Sequence, residues 1–216
     1  MPFATNAVYA PIQPYRQLGP WNQPMLAGGL SASATLKAGC LVKLAGSASG
    51  TLVEAALADT TVFGILADPA QAPTGQTLTP FVVPAVGAGT PISGAVERRV
   101  VPFNSQLTFV GSLDTSGGSA SVPLQASDIG AVYALSPVLP NGTVGLQATN
   151  PSAIWILDRN PGPPPATGPT AAAIVINLID PIGSIADGVP QVLSNGGQKS
   201  GHALVEFMIV PSKRAV

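Results

Sequence analysis

The sequence predicts an all-β protein: a small β-sandwich or barrel body with an extended N-terminal arm, and a Pro-rich connector leading to a C-terminal β segment. Three observations predict it. The 216 residues include 24 Gly and 23 Pro, which leaves few of the breaker-free stretches of about ten residues that a helix needs. Short runs rich in Val, Ile, Leu and Phe recur every ~8–12 residues between Gly, Pro, Ser or Asn-Gly punctuation, the spacing of sandwich and barrel strands. The prolines are also unevenly used, crowding the first 30 residues and the stretch 160–170.

The arm spans residues 1–30, with Pro at 2, 11, 14, 20 and 24 and aromatics Phe3, Tyr9, Tyr15 and Trp21 spaced by six throughout. Six is a multiple of both the polyproline II turn and the strand period, so an extended arm presents all four on one face. These four are the candidate partner-binding residues. The competing reading is anchoring to the chain's own core. Four aromatics burying ~150–250 Å² each gain on the order of 15–25 kcal/mol, whereas ordering 30 residues costs on the order of 30–60 kcal/mol. The arm therefore also needs backbone hydrogen bonds, gained by joining a sheet edge or from a partner.

The body, residues 31–159, is expected to carry strands at Cys40 to Leu44, Val62 to Leu66, Thr79 to Val83, Ala95 to Val101, Gln106 to Val110, Gly130 to Leu135, Thr143 to Gln147 and Ile154 to Leu157. Residues 51–63 form the best breaker-free stretch, but their β-branched ends predict strand, short turn, strand. Asn141-Gly142, between Val138 and Val144, predicts a hairpin turn, because both central positions favour positive φ.

The connector, residues 160–170, holds five prolines and reads as semi-rigid polyproline II. The segment 171–216 is small and either stands alone or returns strands to the main sheet. Its strands are expected at Ile174 to Ile179 and Ala203 to Val210, the latter placing Ala203, Val205, Phe207 and Ile209 on one face and His202, Leu204, Glu206 and Met208 on the other.

Composition argues against most chemistry. Nine Lys or Arg, ten Asp or Glu, one His and one Cys give a formal net charge of −1. Arg98-Arg99 and Lys213-Arg214 are isolated basic pairs, so no electrostatic footprint for nucleic acid is expected. Residues 1–6 lack the basic start and apolar core of a signal peptide, and apolar runs break well short of the ~18–20 residues that span a bilayer, so no membrane association is expected. Cys40 has no second cysteine to pair with and reads as a small buried hydrophobe.

His202 and Glu206 lie ~13 Å apart along a strand, too far for a bonded pair. The carboxylates are dispersed, without an Asp-x-Asp or calcium-loop pattern, and Asp68-Pro69, Asp180-Pro181 and Asp187-Gly188 read as turns. Gly46-Ser47-Ala48-Ser49-Gly50 has Ala where a nucleophile elbow needs Ser. Gly87-Ala88-Gly89 leads into Pro91 and not into a phosphate loop. No catalytic, cofactor or metal residues are expected, and the chain is not expected to be an enzyme.

The segments Leu36-Lys37-Ala38-Gly39-Cys40-Leu41-Val42-Lys43-Leu44, Gly50-Thr51-Leu52-Val53, Ala58-Asp59 and Val62-Phe63-Gly64-Ile65-Leu66-Ala67-Asp68 resemble the head decoration, or cement, proteins of tailed bacteriophages. Cys40 departs from the acidic or polar residue expected there. The resemblance implies a compact, β-tulip-like domain on the exterior of a DNA-filled capsid, clamping capsomers near threefold or twofold axes. It implies the major capsid protein as partner, with neighbouring copies or a homo-oligomer (trimer or dimer), and the virion as location. The alternative is a β-rich adhesin or carbohydrate-binding module of a phage fibre, tail or cell surface, which needs exposed aromatics; in the body only Tyr133 and Trp155 are Tyr or Trp.

Overall fold

The computed structural model describes residues 8–18, 26–30, 35–36, 38–44, 51–56, 59, 62–67, 81–82, 98–103, 106–117, 121–150, 152–160, 172–187, 191–192, 198–199 and 201–210. Phe3, Trp21 and residues 161–170 of the predicted connector lie outside them. In chain order the strands are β1 (Gln13–Gln17), β2 (Leu26–Leu30), β3 (Thr35–Leu36), β4 (Leu41–Leu44), β5 (Thr51–Glu54), β6 (Gly64–Ala67), β7 (Phe81–Val82) and β8 (Arg98–Pro102). They continue with β9 (Leu107–Asp114), β10 (Val132–Val138), β11 (Ile154–Asp158), β12 (Ala172–Leu178), β13 (Gln191–Val192), β14 (Gln198–Lys199) and β15 (Leu204–Ile209). The one helical element among the described residues is a 3₁₀ turn, Ala126–Asp128. The all-β expectation is met, and the barrel alternative is the one realised.

Ten of the fifteen strands form two closed rings. The first is a five-stranded barrel in the order β2, β5, β4, β6, β8. It closes through the antiparallel pairing of β2 with β8, and β2 with β5 is its one parallel contact. Leu41, Val42, Ile65, Leu66, Val100 and Val101 are each at most 3% exposed; consecutive strand residues point to opposite faces, so the strands are covered inside and out. Closure removes the unpaired edges that flat sheets must protect.

The second ring runs β9, β11, β10, β12, β15 and returns to β9 through the register Val205↔Gly111 and Phe207↔Phe109. The predicted face of β15 is its lining: Ala203, Val205, Phe207 and Ile209 are all buried. Phe207 tilts against Phe109, whose ring takes Phe103 edge-on at 4.9 Å. The segment after the connector thus takes the second of its two predicted options, since β12 and β15 complete this ring.

One junction of the second ring is short. β11 meets β9 only at Leu113 and Asp114, and along Leu107 to Val110 the same edge of β9 is occupied by β1. Ile12, 1% exposed, packs beside Gly111, where a Cβ would come within 3.1 Å of its Cγ1. The first barrel makes room for this segment at Gly39, which has φ +82° and whose Cβ would lie 2.8 Å from the Ile12 nitrogen. Only glycine meets both demands. Within the described residues of the N-terminal stretch, Ile12 is packed in the core and Gln13–Gln17 join the edge of β9.

Several expected elements shift. Among the described residues of 51–63 are β5, the hydrogen bond from Asp59 N–H to Ala56 O at 3.0 Å, and a bridge at Val62. The Asn141-Gly142 turn is present, with Gly142 at φ +82° and Asn141 Oδ1 accepting from both Thr143 N–H and Thr143 Oγ1. The strand expected from Thr143 to Gln147 does not form. After the single bridge Val138↔Val144, Leu146 to Asn150 turn away. The cause is Glu54, which draws the N–H groups of Gln147 and Ala148 out of reach of β10.

Candidate partner-binding surface

Of the four predicted aromatics, the two among the described residues, Tyr9 and Tyr15, differ in burial. Tyr9 is 8% exposed and belongs to the core, its hydroxyl donating to Asp114 Oδ2 at 3.0 Å. Its assignment as a partner contact is corrected: an amphipathic ring beside a buried acceptor serves the chain's own fold. Burial, with the Asp114 carboxylate beside it, pushes the Tyr9 phenol well above its usual range. Tyr15, by contrast, is 48% exposed and stacks under the Arg16 guanidinium, 5.5 Å from the ring centroid. A register shift between Pro14 and Arg16 bulges the strand at Tyr15, which breaks the six-residue regularity.

Around Tyr15 the N-terminal segment has one anchored side and one open side. On the anchored side, Ala10 N–H donates to Ser112 Oγ at 2.9 Å and Arg16 N–H to Thr108 Oγ1 at 3.1 Å. Leu18 N–H donates to Gln106 O at 2.7 Å. Arg16 reaches across β9 to Glu206 on β15, donating through Nε to Oε1 at 2.8 Å and through Nη2 to Oε2. Glu206 is fully buried, so the face of β15 that it shares with Leu204 and Met208 is not a solvent face at this position. A buried carboxylate requires this forked partner, which also holds the Arg16 guanidinium above its usual value. On the open side, Gln13, Pro14, Tyr15, Arg16 and Leu18 are exposed, and among the described residues β1 pairs with no strand other than β9.

The remaining carboxylates are also used internally. Asp114 and Asp158 stand side by side in register on β9 and β11, both 1% exposed. Asp158 Oδ1 accepts from Ser116 N–H and Asn160 N–H, each at 2.9 Å, and Asp114 Oδ2 from Ser121 Oγ at 3.0 Å. Desolvation raises Asp114 above its usual value. Asp128, in the 3₁₀ turn, pairs with Arg159 at 2.6 Å and accepts from Tyr133 OH at 2.6 Å. Asp180 accepts from Leu204 N–H at 2.6 Å. Tyr9, Arg159, Ser116 N–H and Leu204 N–H reach these carboxylates from 105, 31, 42 and 24 positions away, so no local sequence signal marks them.

Glu54 holds the two rings together. Its carboxylate accepts from Gln147 N–H and Ala148 N–H at 2.8 Å and from Trp155 Nε1 at 3.0 Å. Cys40 is fully buried beside it, as the small-hydrophobe reading expects, and burial pushes its thiol up. Among the described residues, no group of three or more His, Cys, Asp or Glu is placed to hold a metal ion, and no helix is long and apolar enough to cross a membrane. Comparison of the chain with family models, with curated proteins and with solved structures finds no match.

Proposed function

We propose that this chain binds the outer surface of a mature viral capsid and cements neighbouring capsomers, with no catalysis. Its partners are then the major capsid protein and neighbouring copies of itself, and its location the virion exterior after synthesis in the host cytoplasm. The observation that supports this most is the segment 9–18 around β1: it is locked into the core through Ile12 and Tyr9, while Tyr15 and Leu18 stand out from it, 48% and 60% exposed. A clamp needs a body that does not deform and a surface that reaches outward. Two closed rings meet the first need. Weak contacts repeated across a lattice then act together through effective concentration, and binding stabilises the state that is bound.

The adhesin alternative draws less support. Trp155 is 1% exposed, and Tyr133 is half-buried and tied to Asp128 and Arg159, so neither ring is a free stacking platform. The test is co-sedimentation of the purified chain with expanded heads and with unexpanded precursors. Saturable binding to expanded heads alone is expected; binding to neither rejects the proposal. Deleting residues 1–30 is not a suitable control, because it removes Tyr9 and Ile12 from the core. Tyr15→Ala with Leu18→Ala removes the open surface and leaves the anchored side intact.

A further inference from the structure

We propose that Asp114 and Asp158 hold one proton between them where β9 meets β11, and that losing it as pH rises loosens the second ring at this junction. It concerns the free chain and does not depend on the proposed function. Position is the first argument. Leu113↔Leu157 and Asp114↔Asp158 are the register pairs of this junction, and Arg159 N–H donates to Asp114 O at 2.8 Å at its end. Every other junction of the ring has a longer register. Paired strands lie ~4.7–4.9 Å apart and parallel partners share a face, so the two acidic side chains leave the sheet side by side. Both residues are 1% exposed.

Charge is the second argument. Among the described residues the ion pairs join Arg16 to Glu206, Lys43 to Asp59 and Arg159 to Asp128, and no cation pairs with Asp114 or Asp158. Asp114 is faced by the Tyr9 hydroxyl from the N-terminal segment, by Ser121 and the Val122 N–H from the loop after β9, by the Thr115 N–H, and by Asp158 from β11. On the β15 side the titratable group is His202, next to Ala203, whose carbonyl accepts from Leu113 N–H. Both carboxylates help push up the Tyr9 phenol, so Asp158 is felt where Tyr9 meets Asp114. Two neighbouring buried carboxylates without a cation do not both ionise, because each charge raises the cost of the other.

The hydrogen bonds place the proton. Asp158 Oδ1 accepts from Ser116 N–H and Asn160 N–H, an arrangement suited to a charged acceptor. On Asp114 the Tyr9 and Ser121 hydroxyls both donate to Oδ2, and Oδ1 is buried and accepts no hydrogen bond. A protonated Oδ1 is itself a donor, whereas a charged one would be left buried and unpaired. Desolvation of Asp114 acts in the same direction. When the proton leaves to solvent, two like charges stand directly opposite each other across the shortest junction of the ring, a destabilising arrangement. The junction is therefore tight while the proton is held and weakens as pH rises through its loss.

The test uses the full chain with isotope-labelled aspartate carboxyl carbons, titrated by NMR from acid to mildly alkaline pH. Asp114 should ionise above the ordinary carboxyl range, and the Asp158 carbon should move in the same step because the proton belongs to the pair. Asp158→Asn keeps an acceptor oxygen for Ser116 and Asn160 but removes the second charge, so the Asp114 midpoint should fall by at least about one pH unit. Amide exchange reads the junction itself. Protection of Arg159 N–H, corrected for the intrinsic rate, should drop by at least about tenfold through that step. Leu113 N–H, bonded to Ala203 O on the other side of β9, should keep its protection. Asp114→Asn, whose amide supplies a fixed N–H in place of the acid proton, should hold Arg159 protection constant. In the wild type alone, an Asp114 midpoint in the ordinary range, or an Asp158 carbon that does not follow it, overturns the shared proton. So does an Asp114 midpoint that Asp158→Asn leaves in place. Arg159 protection that is flat in the wild type, or that falls equally in Asp114→Asn or together with that of Leu113, overturns the loosening at this junction.

Discussion

The carboxylate of Glu54 on β5 accepts the indole N–H of Trp155 on β11 at 3.0 Å, joining the first ring to the second across 101 positions of sequence. The same carboxylate takes the N–H groups of Gln147 and Ala148, so three donors of the second ring converge on one side chain of the first. Glu54→Ala leaves these donors without their acceptor, at about 1–3 kcal/mol for each buried group, and a total loss of roughly 3 kcal/mol is expected because the exposed Ala148 is rehydrated. Denaturant unfolding followed by Trp155 fluorescence measures it. Glu54→Gln, which keeps an acceptor oxygen, should lose less; equal losses would mean that the carboxylate's acceptor role is not what matters.

Ile12 tests whether the N-terminal segment belongs to the fold. It is 1% exposed and faces Gly111 and the Phe207 ring, so Ile12→Ala should cost about 2–5 kcal/mol, the range for a large-to-small change in a closed core. An exposed arm would lose almost nothing. Thermal unfolding of the variant separates the two, and an unchanged midpoint would detach residues 9–17 from the core.

Arg159 and Asp128 form a pair that is 12% and 4% exposed at the side chain. Arg159→Met leaves a buried carboxylate whose remaining side-chain donor is Tyr133, and should destabilise by about 3–5 kcal/mol. Adding Asp128→Asn removes the orphaned charge and should restore part of the loss. A double variant as unstable as the sum of both single changes would show that the two residues act independently.

Asp114 predicts the sign of a pH dependence. Desolvation raises its carboxyl above the ordinary 3.8, against the pull of the hydrogen bonds from Ser121 and Tyr9. A raised folded-state value means that the folded chain holds this proton more tightly than the unfolded chain. The contribution is full below the unfolded value and is lost as pH rises through the folded one. Asp114→Asn removes that titration. The melting temperature of the wild type relative to Asp114→Asn should therefore climb as pH falls from neutrality toward 4, and a difference that stays constant or shrinks would contradict the assignment.

How much of this was legible in the sequence depended on whether the determinant was local. The period-two pattern of β15 and the Asn141-Gly142 turn are local: both form, although Gly142 alone of the turn pair takes positive φ and Glu206 on the second face of β15 is buried. β1 was not recognised as a strand because Pro14 removes a donor and the aromatics suggested an arm. Only β9, about 90 residues later, makes residues 13–17 a strand. β2, with Gly28-Gly29 at its centre, has weak strand propensity and exists through its pairing with β5 and β8. The carboxylates were read as turn or surface residues, yet Asp114, Asp128, Asp158, Asp180 and Glu206 are buried. Glu206 and Asp128 pair with Arg16 and Arg159, and Asp180 accepts from the Leu204 N–H, partners that no short window of sequence contains. For the candidate surface, the aromatic spacing carried no information on burial, which turns Tyr9 inward and Tyr15 outward.

The central claim is that the chain strengthens a capsid lattice, and the most direct measurement is the temperature at which expanded heads release DNA, with and without saturating chain. The account predicts a rise of several degrees that saturates at a fixed number of copies per capsomer and is reduced by the Tyr15→Ala, Leu18→Ala pair. An unchanged release temperature with folded protein bound, or an equal rise with the paired variant, would contradict it.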